Sequence, residues 1–112
     1  MLKHITLLFI LLSFLSCDKK KSNISGKVTD QNGQPVFNAL VNFIQCQENG
    51  DNCKETVIAQ AFTSTNGEFI INEKIASKSK TKWITVYYNN KKVGQKDNVG
   101  LNDKNITIQV NL

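Results

Sequence analysis

The strongest constraint on this chain is a hydrophobic period of two. Ile106, Ile108, Val110 and Leu112 alternate with Asn105, Thr107, Gln109 and Asn111, the pattern of a strand with one face buried and one in water. Ile24, Gly26 and Val28 alternate in the same way with Ser25, Lys27 and Thr29. Ala39, Val41 and Phe43 alternate with Asn38 and Asn42, although Leu40 and Ile44 make that run apolar on both faces. Further β-prone runs are Thr56 to Thr63, Phe69 to Ile71, Trp83 to Tyr88 and a weak one around Lys92 to Gln95. Turn signals separate them: Asp30-Gln-Asn-Gly-Gln-Pro35, the hairpin signal Asn66-Gly67, and Asn89-Asn90. Ala76 to Lys82 is a polar, lysine-rich connection. No stretch of ten residues has helical periodicity. Seven short strands over about 90 residues predict one antiparallel β-sandwich, at a size that leaves no room for a second domain.

The first sixteen residues belong to a different kind of segment. Lys3 and His4 precede a run from Ile5 to Leu15 broken only by Thr6 and Ser13. The run is shorter than the roughly 20 apolar residues of a membrane-spanning helix and matches the core of a secretory signal peptide. It ends Phe14-Leu15-Ser16-Cys17. A small residue before a cysteine at that point resembles the lipobox of bacterial lipoproteins, with Phe14 where leucine is commonest. In that family the chain is cut before the cysteine, whose thiol then carries a diacylglyceryl group and whose freed amino group is acylated as well. The resemblance implies a leader over 1–16 and a lipid on Cys17. It also implies a place in the cell envelope at the outer membrane, with the membrane itself as a partner. Residues 17–23 then read as a polar tether, its three lysines beside the anchor. In lipoproteins of the Bacteroidetes type, surface display goes with acidic-rich stretches after the cysteine; this one is mostly lysine, and the facing side is left open. Of the net charge of +5, the leader takes one unit and Asp18 with the three lysines beside Cys17 two, so the domain is nearly balanced.

With Cys17 carrying lipid, Cys46 and Cys53 are left, and the envelope favours a disulfide between them. They flank Gln-Glu-Asn-Gly-Asp-Asn, which reads as a loop tip stapled at its base. Closing so small a ring is worth at most about 2.5 kcal/mol in the chain-entropy model. Two free thiols or a metal site are the alternatives, though two sulfurs without histidine make a poor zinc shell.

Ile24 to Phe43 resembles the opening of carboxypeptidase regulatory-like domains, which runs G-x-V-x-D-x-x-G-x-P, an apolar residue, then A-x-V. The matching residues are Gly26, Val28, Asp30, Gly33, Pro35, Val36, Ala39 and Val41. Thr63-Ser-Thr-Asn-Gly-Glu-Phe69 resembles that family's second signature. The resemblance covers residues 24–112 and implies a seven-stranded antiparallel Greek-key β-sandwich of the transthyretin-like or Ig-like kind. Each matched position has a reason in the fold. Gly33 and Gly67 can take positive φ, Asp30 can accept backbone N–H bonds in its turn, and Ala39 and Val41 would pack inward. Related sandwiches accompany outer-membrane transporters, which implies another outer-membrane protein as a partner.

Beyond the leader there is no histidine and no arginine. Ser-His-Asp and Cys-His catalysis are therefore excluded, as is the zinc chemistry of true carboxypeptidases, and the expectation is a non-enzymatic protein without metal or cofactor. A carboxylate pair of Glu68 with Glu73 is conceivable, although a regular strand puts the two on opposite faces. Asp30/Asn32 and Glu48/Asn49/Asp51/Asn52 resemble fragments of calcium loops but lack EF-hand spacing, and Asp, Asn and Gly also make ordinary turns. A lysine-only charge is a weak nucleic-acid footprint, so no nucleic acid is expected. Trp83, Thr85 and Tyr87 share one strand face. If that face meets solvent, the two rings form a platform for sugar or peptide; otherwise Trp83 caps the core and Tyr87 is half buried. The expected role is thus a binding or accessory module. A glycan platform at Trp83 and Tyr87, or inhibition of another protein through the Cys46–Cys53 loop, are its alternatives.

Overall fold

The computed structural model describes residues 19–49, 52–76 and 81–112. The leader over 1–16 and the lipidation site Cys17 lie outside the described residues, as do Asp51 and the side chains of Glu48, Asn49 and Asn52. The described chain is all-β. Its strands are β1 (Lys20–Lys21), β2 (Ile24–Thr29), β3 (Leu40–Asn49), β4 (Asn52–Phe62), β5 (Glu68–Ile71), β6 (Lys74–Ile75), β7 (Lys82–Tyr88), β8 (Lys91–Lys96) and β9 (Ile106–Gln109). The seven longer strands overlap the β-prone runs of the sequence, but β3 and β4 reach to Asn49 and from Asn52, into the stretch expected to be a loop. The seven form a three-stranded sheet, β5-β2-β9, and a four-stranded sheet, β4-β3-β7-β8, while β1 and β6 pair as a small third sheet.

The two larger sheets bury one face each against a common core. Ile24, Val28, Phe69, Ile71, Ile106 and Ile108 come from the first, and Val41, Phe43, Ala59, Ile84 and Val86 from the second. Each of these side chains larger than alanine is worth about 1.5–3 kcal/mol on burial, so the period-two pattern is the main reason the sheets stack. Gly26 shows how tightly they do so. It lies on the core face directly across from Phe69, and a Cβ there would come within 2.4 Å of the Ile106 carbonyl oxygen and 2.7 Å of the Phe69 ring. The first glycine of the motif therefore serves close packing.

One ladder departs from the antiparallel expectation. β2 pairs with β9 in parallel, Gly26 with Ile106 through Thr29 with Gln109. Nearly the whole chain separates these strands, which satisfies the long crossover that parallel pairing needs. The return passes through Val99, buried in the segment before β9, and Leu101, packed against the core.

The two Asn-Gly turns share one pattern. In the first, Gly33 N donates to Asp30 O at 3.1 Å and Asp30 N to Gln34 O at 2.8 Å, while Asp30 Oδ1 accepts from Asn32 N at 2.8 Å and Gln34 N at 3.0 Å. In the second, Gly67 N donates to Ser64 O at 2.9 Å and Ser64 N to Glu68 O at 2.8 Å, and Ser64 Oγ accepts from Asn66 N and Glu68 N, both at 3.3 Å. Gly33 and Gly67 have φ of 79° and 75°. In neither turn does the asparagine have positive φ, so these are not two-residue type I′ hairpins. The expected hairpin at Asn66-Gly67 is corrected accordingly: β4 and β5 lie in different sheets, and this turn carries the chain from one to the other. The shared Thr-x-x-Asn-Gly, at Thr29–Gly33 and Thr63–Gly67, is a short internal repeat in the sequence.

Part of the segment read as a tether belongs to the fold. Lys20 pairs with Ile75 and Lys21 with Lys74. Ser22 is fully buried; its Oγ donates to Glu73 O at 2.7 Å and its N–H to the same oxygen at 3.0 Å. Asn23 N donates to Leu101 O at 2.7 Å. A polar stretch can be ordered where one backbone carbonyl satisfies both serine donors, which composition alone does not reveal.

Candidate functional site

The outward face of the four-stranded sheet is built by register. β3 pairs with β7 so that Leu40 faces Tyr87, Asn42 faces Thr85 and Ile44 faces Trp83. β4 continues these rows with Phe62, Gln60 and Val57. β8 adds Lys92 beside Tyr87 and Gln95 beside Thr85. Bulges at Phe43/Ile44 and at Val86/Tyr87 re-phase the outer strands. They turn Ile58 and Val93 toward the core while leaving the rows intact.

Three lanes result. One is Phe62, Leu40, Tyr87 and Lys92; the next is Gln60, Asn42, Thr85 and Gln95; the third is Val57, Ile44 and Trp83. Apolar and aromatic lanes thus flank a polar one. Phe62 is 63% exposed and Val57 48%, so the face is not covered by a second layer at its β4 edge. Trp83 and Tyr87 are half-buried and neither belongs to the core, whereas Ile84, Val86 and Tyr88 face it. Trp83 therefore does not cap the core; it shares the outward face with Tyr87, about 13 Å along the strand by strand rise.

The polar lane is partly organised. Gln60 Nε2 donates to Asn42 Oδ1 at 2.8 Å. At the far edge Gln95 accepts from Lys92 Nζ and donates to Asp97 Oδ1 at 2.7 Å. Between them Thr85 is 4% exposed, and among the described residues its Oγ1 is the buried side-chain polar atom without a hydrogen-bond partner. A short hydroxyl between longer neighbours is shielded from water by them, at a cost of about 1–3 kcal/mol if nothing pairs with it.

The other sheet presents a different outer surface. Ser25, Lys27, Glu68, Ile70, Asn105 and Thr107 line an open groove of about 390 Å³. Apart from Ile70 its outward side chains are polar or charged. Glu68 is among them, and Glu73 lies outside β5, so the two carboxylates share no strand face.

Cys46 and Cys53 are joined by a disulfide with Cα atoms 5.4 Å apart. Cys46 faces Glu55 and Glu48 faces Cys53, so the bridge runs diagonally on one face of the ladder. The expected loop tip is instead a hairpin ribbon: β3 and β4 stay paired out to Asn49 and Asn52, whereas β7 stops pairing at Gln45. Asp30, expected to accept backbone N–H groups in its turn, does so through Oδ1.

What sequence reasoning missed is the partners of Trp83 and Tyr87. Leu40, Ile44, Val57 and Phe62 join them only through long-range register. The available signal was Leu40 and Ile44, apolar on the strand face that should meet water.

No family model matches the sequence, and no curated protein matches it. Among solved structures, the fold is similar to part of a 9R-lipoxygenase from Cyanothece PCC8801, with a TM-score of 0.55 and 14% identity over 80% of this chain. This chain spans only 16% of the length of that one. The neighbour bears the name of an enzyme, which overturns the expectation that the chain is not one; at 14% identity the likeness concerns the fold and assigns no activity.

Proposed function

We propose that this chain is a lipid-anchored protein of the cell envelope, held at the outer membrane through Cys17, that acts as a binding or accessory module. Its sandwich is read as transthyretin-like with Greek-key connections. The single observation that carries the binding role is the contrast between the two sheets: one outward face is polar apart from Ile70, the other carries Trp83, Tyr87, Phe62, Val57 and Leu40 around a polar lane buried at Asn42 and Thr85. Contiguous apolar surface of this kind marks interaction sites in soluble domains. The leader and Ser16-Cys17 support the anchor, and β1 begins at Lys20, three residues after Cys17 in the sequence.

A photo-crosslinking residue at Phe62, with a control at Thr107 on the other sheet, tests the face in intact cells. Adducts at 62 and none at 107 are expected; equal labelling, or none at either site, would remove the reading. The anchor is checked by the mass of the N-terminal peptide of the mature protein, and an unmodified Cys17 would overturn it. A second reading, inhibition of another protein through the Cys46–Cys53 hairpin, is favoured by the ribbon's extension beyond β7. In that case reduction should abolish the partner's capture, and Phe62 should form no adducts.

A further inference from the structure

We propose that the outward face of the four-stranded sheet binds a saccharide chain, with Trp83 and Tyr87 stacking on pyranose rings and Thr85 Oγ1 bonding a sugar hydroxyl between them. The proposal rests on the reading of that face as the binding surface and names its ligand class. Three observations converge. Trp83, Thr85 and Tyr87 alternate ring, hydroxyl, ring along one strand face, and the rings lie about 13 Å apart. Each is half-buried, so part of each side chain meets solvent, where a ring can stack.

The second observation is the orphaned Thr85 hydroxyl, 4% exposed and unpartnered. Buried polar groups are ordinarily paired, and an exception calls for a missing partner. An apolar protein surface laid over this face would seal that hydroxyl in without one. A polyol supplies groups that both donate and accept. Third, the same lane carries amides. The Gln60 bond to Asn42 Oδ1 fixes the Asn42 side chain with its Nδ2 group as the remaining donor. Rings that cover apolar sugar faces beside amides and a hydroxyl that read equatorial oxygens form one chemical pattern. A saccharide stacked along this strand face changes the environment of Trp83.

Trp83 is the chain's single tryptophan, so its fluorescence reports on this face directly. The mature, full-length protein in detergent micelles is titrated with hexasaccharides of β-glucan, xylan, mannan, chitin and homogalacturonan. At least one should shift Trp83 emission saturably. By calorimetry Trp83→Ala and Tyr87→Ala should each weaken that sugar at least tenfold. Thr85→Val, close to isosteric, should weaken it about tenfold, and Thr107→Val on the opposite sheet should not change it. Thermal unfolding of each variant separates lost binding from lost fold. No shift with any of the five sugars, or a shift insensitive to all three substitutions, overturns the proposal. If Phe62 still crosslinks to a protein while no sugar binds, the face is a protein-docking surface and only the saccharide assignment fails.

Discussion

The turns at Asp30–Gln34 and Ser64–Glu68 have the same hydrogen-bond scheme and the same left-handed glycine, yet the two glycines stand in different surroundings. Nothing lies within 4 Å of where a Cβ on Gly33 would sit. A Cβ on Gly67 would come within 2.6 Å of the Val28 carbonyl oxygen and 3.0 Å of Pro35 Cβ. Val28 N also donates to Gly67 O at 2.8 Å. The first turn is a local device, whereas the second is also a joint where the chain leaves one sheet and docks on the other. The difference teaches that a turn's own residues encode its shape, but its weight in stability comes from what it leans on.

Substitution of the two glycines breaks this comparison most directly. Alanine pays about 1–2 kcal/mol for positive φ at either position, less about 0.4–1 kcal/mol from a stiffer unfolded chain. At Gly67 an overpacking cost of about 1–3 kcal/mol is added, because the nearest atom is backbone and cannot move aside. Gly67→Ala should therefore lose about 3 kcal/mol, and Gly33→Ala under about 1 kcal/mol, read from urea midpoints at unchanged slope. Equal losses would mean that the approach to Val28 carries no weight.

Thr63, just before the second turn, sharpens the same point. It is buried; its Oγ1 accepts from Ala39 N at 2.8 Å and donates to Val36 O at 2.6 Å. Thr63→Val should lose about 2 kcal/mol, since it strands a buried N–H and a buried carbonyl. Thr29→Val at the matching place in the first turn should lose less, because Thr29 meets its neighbours through backbone pairing with Pro35 and β9. A larger loss at Thr29 would reverse the ranking of the two turns.

The same division between local and long-range information decides what was legible in the sequence. The strands could be read because alternation of apolar residues is local, and so could the positive φ of Gly33 and Gly67, the acceptor role of Asp30, and the inward packing of Ala39 and Val41. The parallel pairing of β2 with β9 was not legible, since it depends on how the chain returns after β8. Nor was the burial of Ser22, which depends on a carbonyl at Glu73. At the candidate site, the shared face of Trp83, Thr85 and Tyr87 was legible from the strand period. Its flanking lanes were not, because two bulges set the register of Phe62, Val57 and Lys92 against them. Leu40 and Ile44 were the trace left in the sequence: apolar residues on the outward face of a central strand mark a surface with something to cover.

The smallest expected effect concerns the capping atoms, where the two turns differ in chemistry instead of surroundings. Asp30 offers a carboxylate to two N–H groups at 2.8 and 3.0 Å; Ser64 offers a hydroxyl at 3.3 Å to both of its own. Charged acceptors make shorter and stronger bonds, but both turns lie at the surface, where water competes for the same donors. Asp30→Ala should lose about 1.5 kcal/mol and Ser64→Ala about 0.5 kcal/mol, the lower end for bonds of each type. Ser64→Asp should then gain a few tenths of a kcal/mol, because the second turn already has the geometry of the first and lacks only its acceptor. A loss on Ser64→Asp, measured by the same urea titration, would show that the joint at Gly67 sets the second turn's hydrogen-bond distances and that its capping residue merely adapts to them.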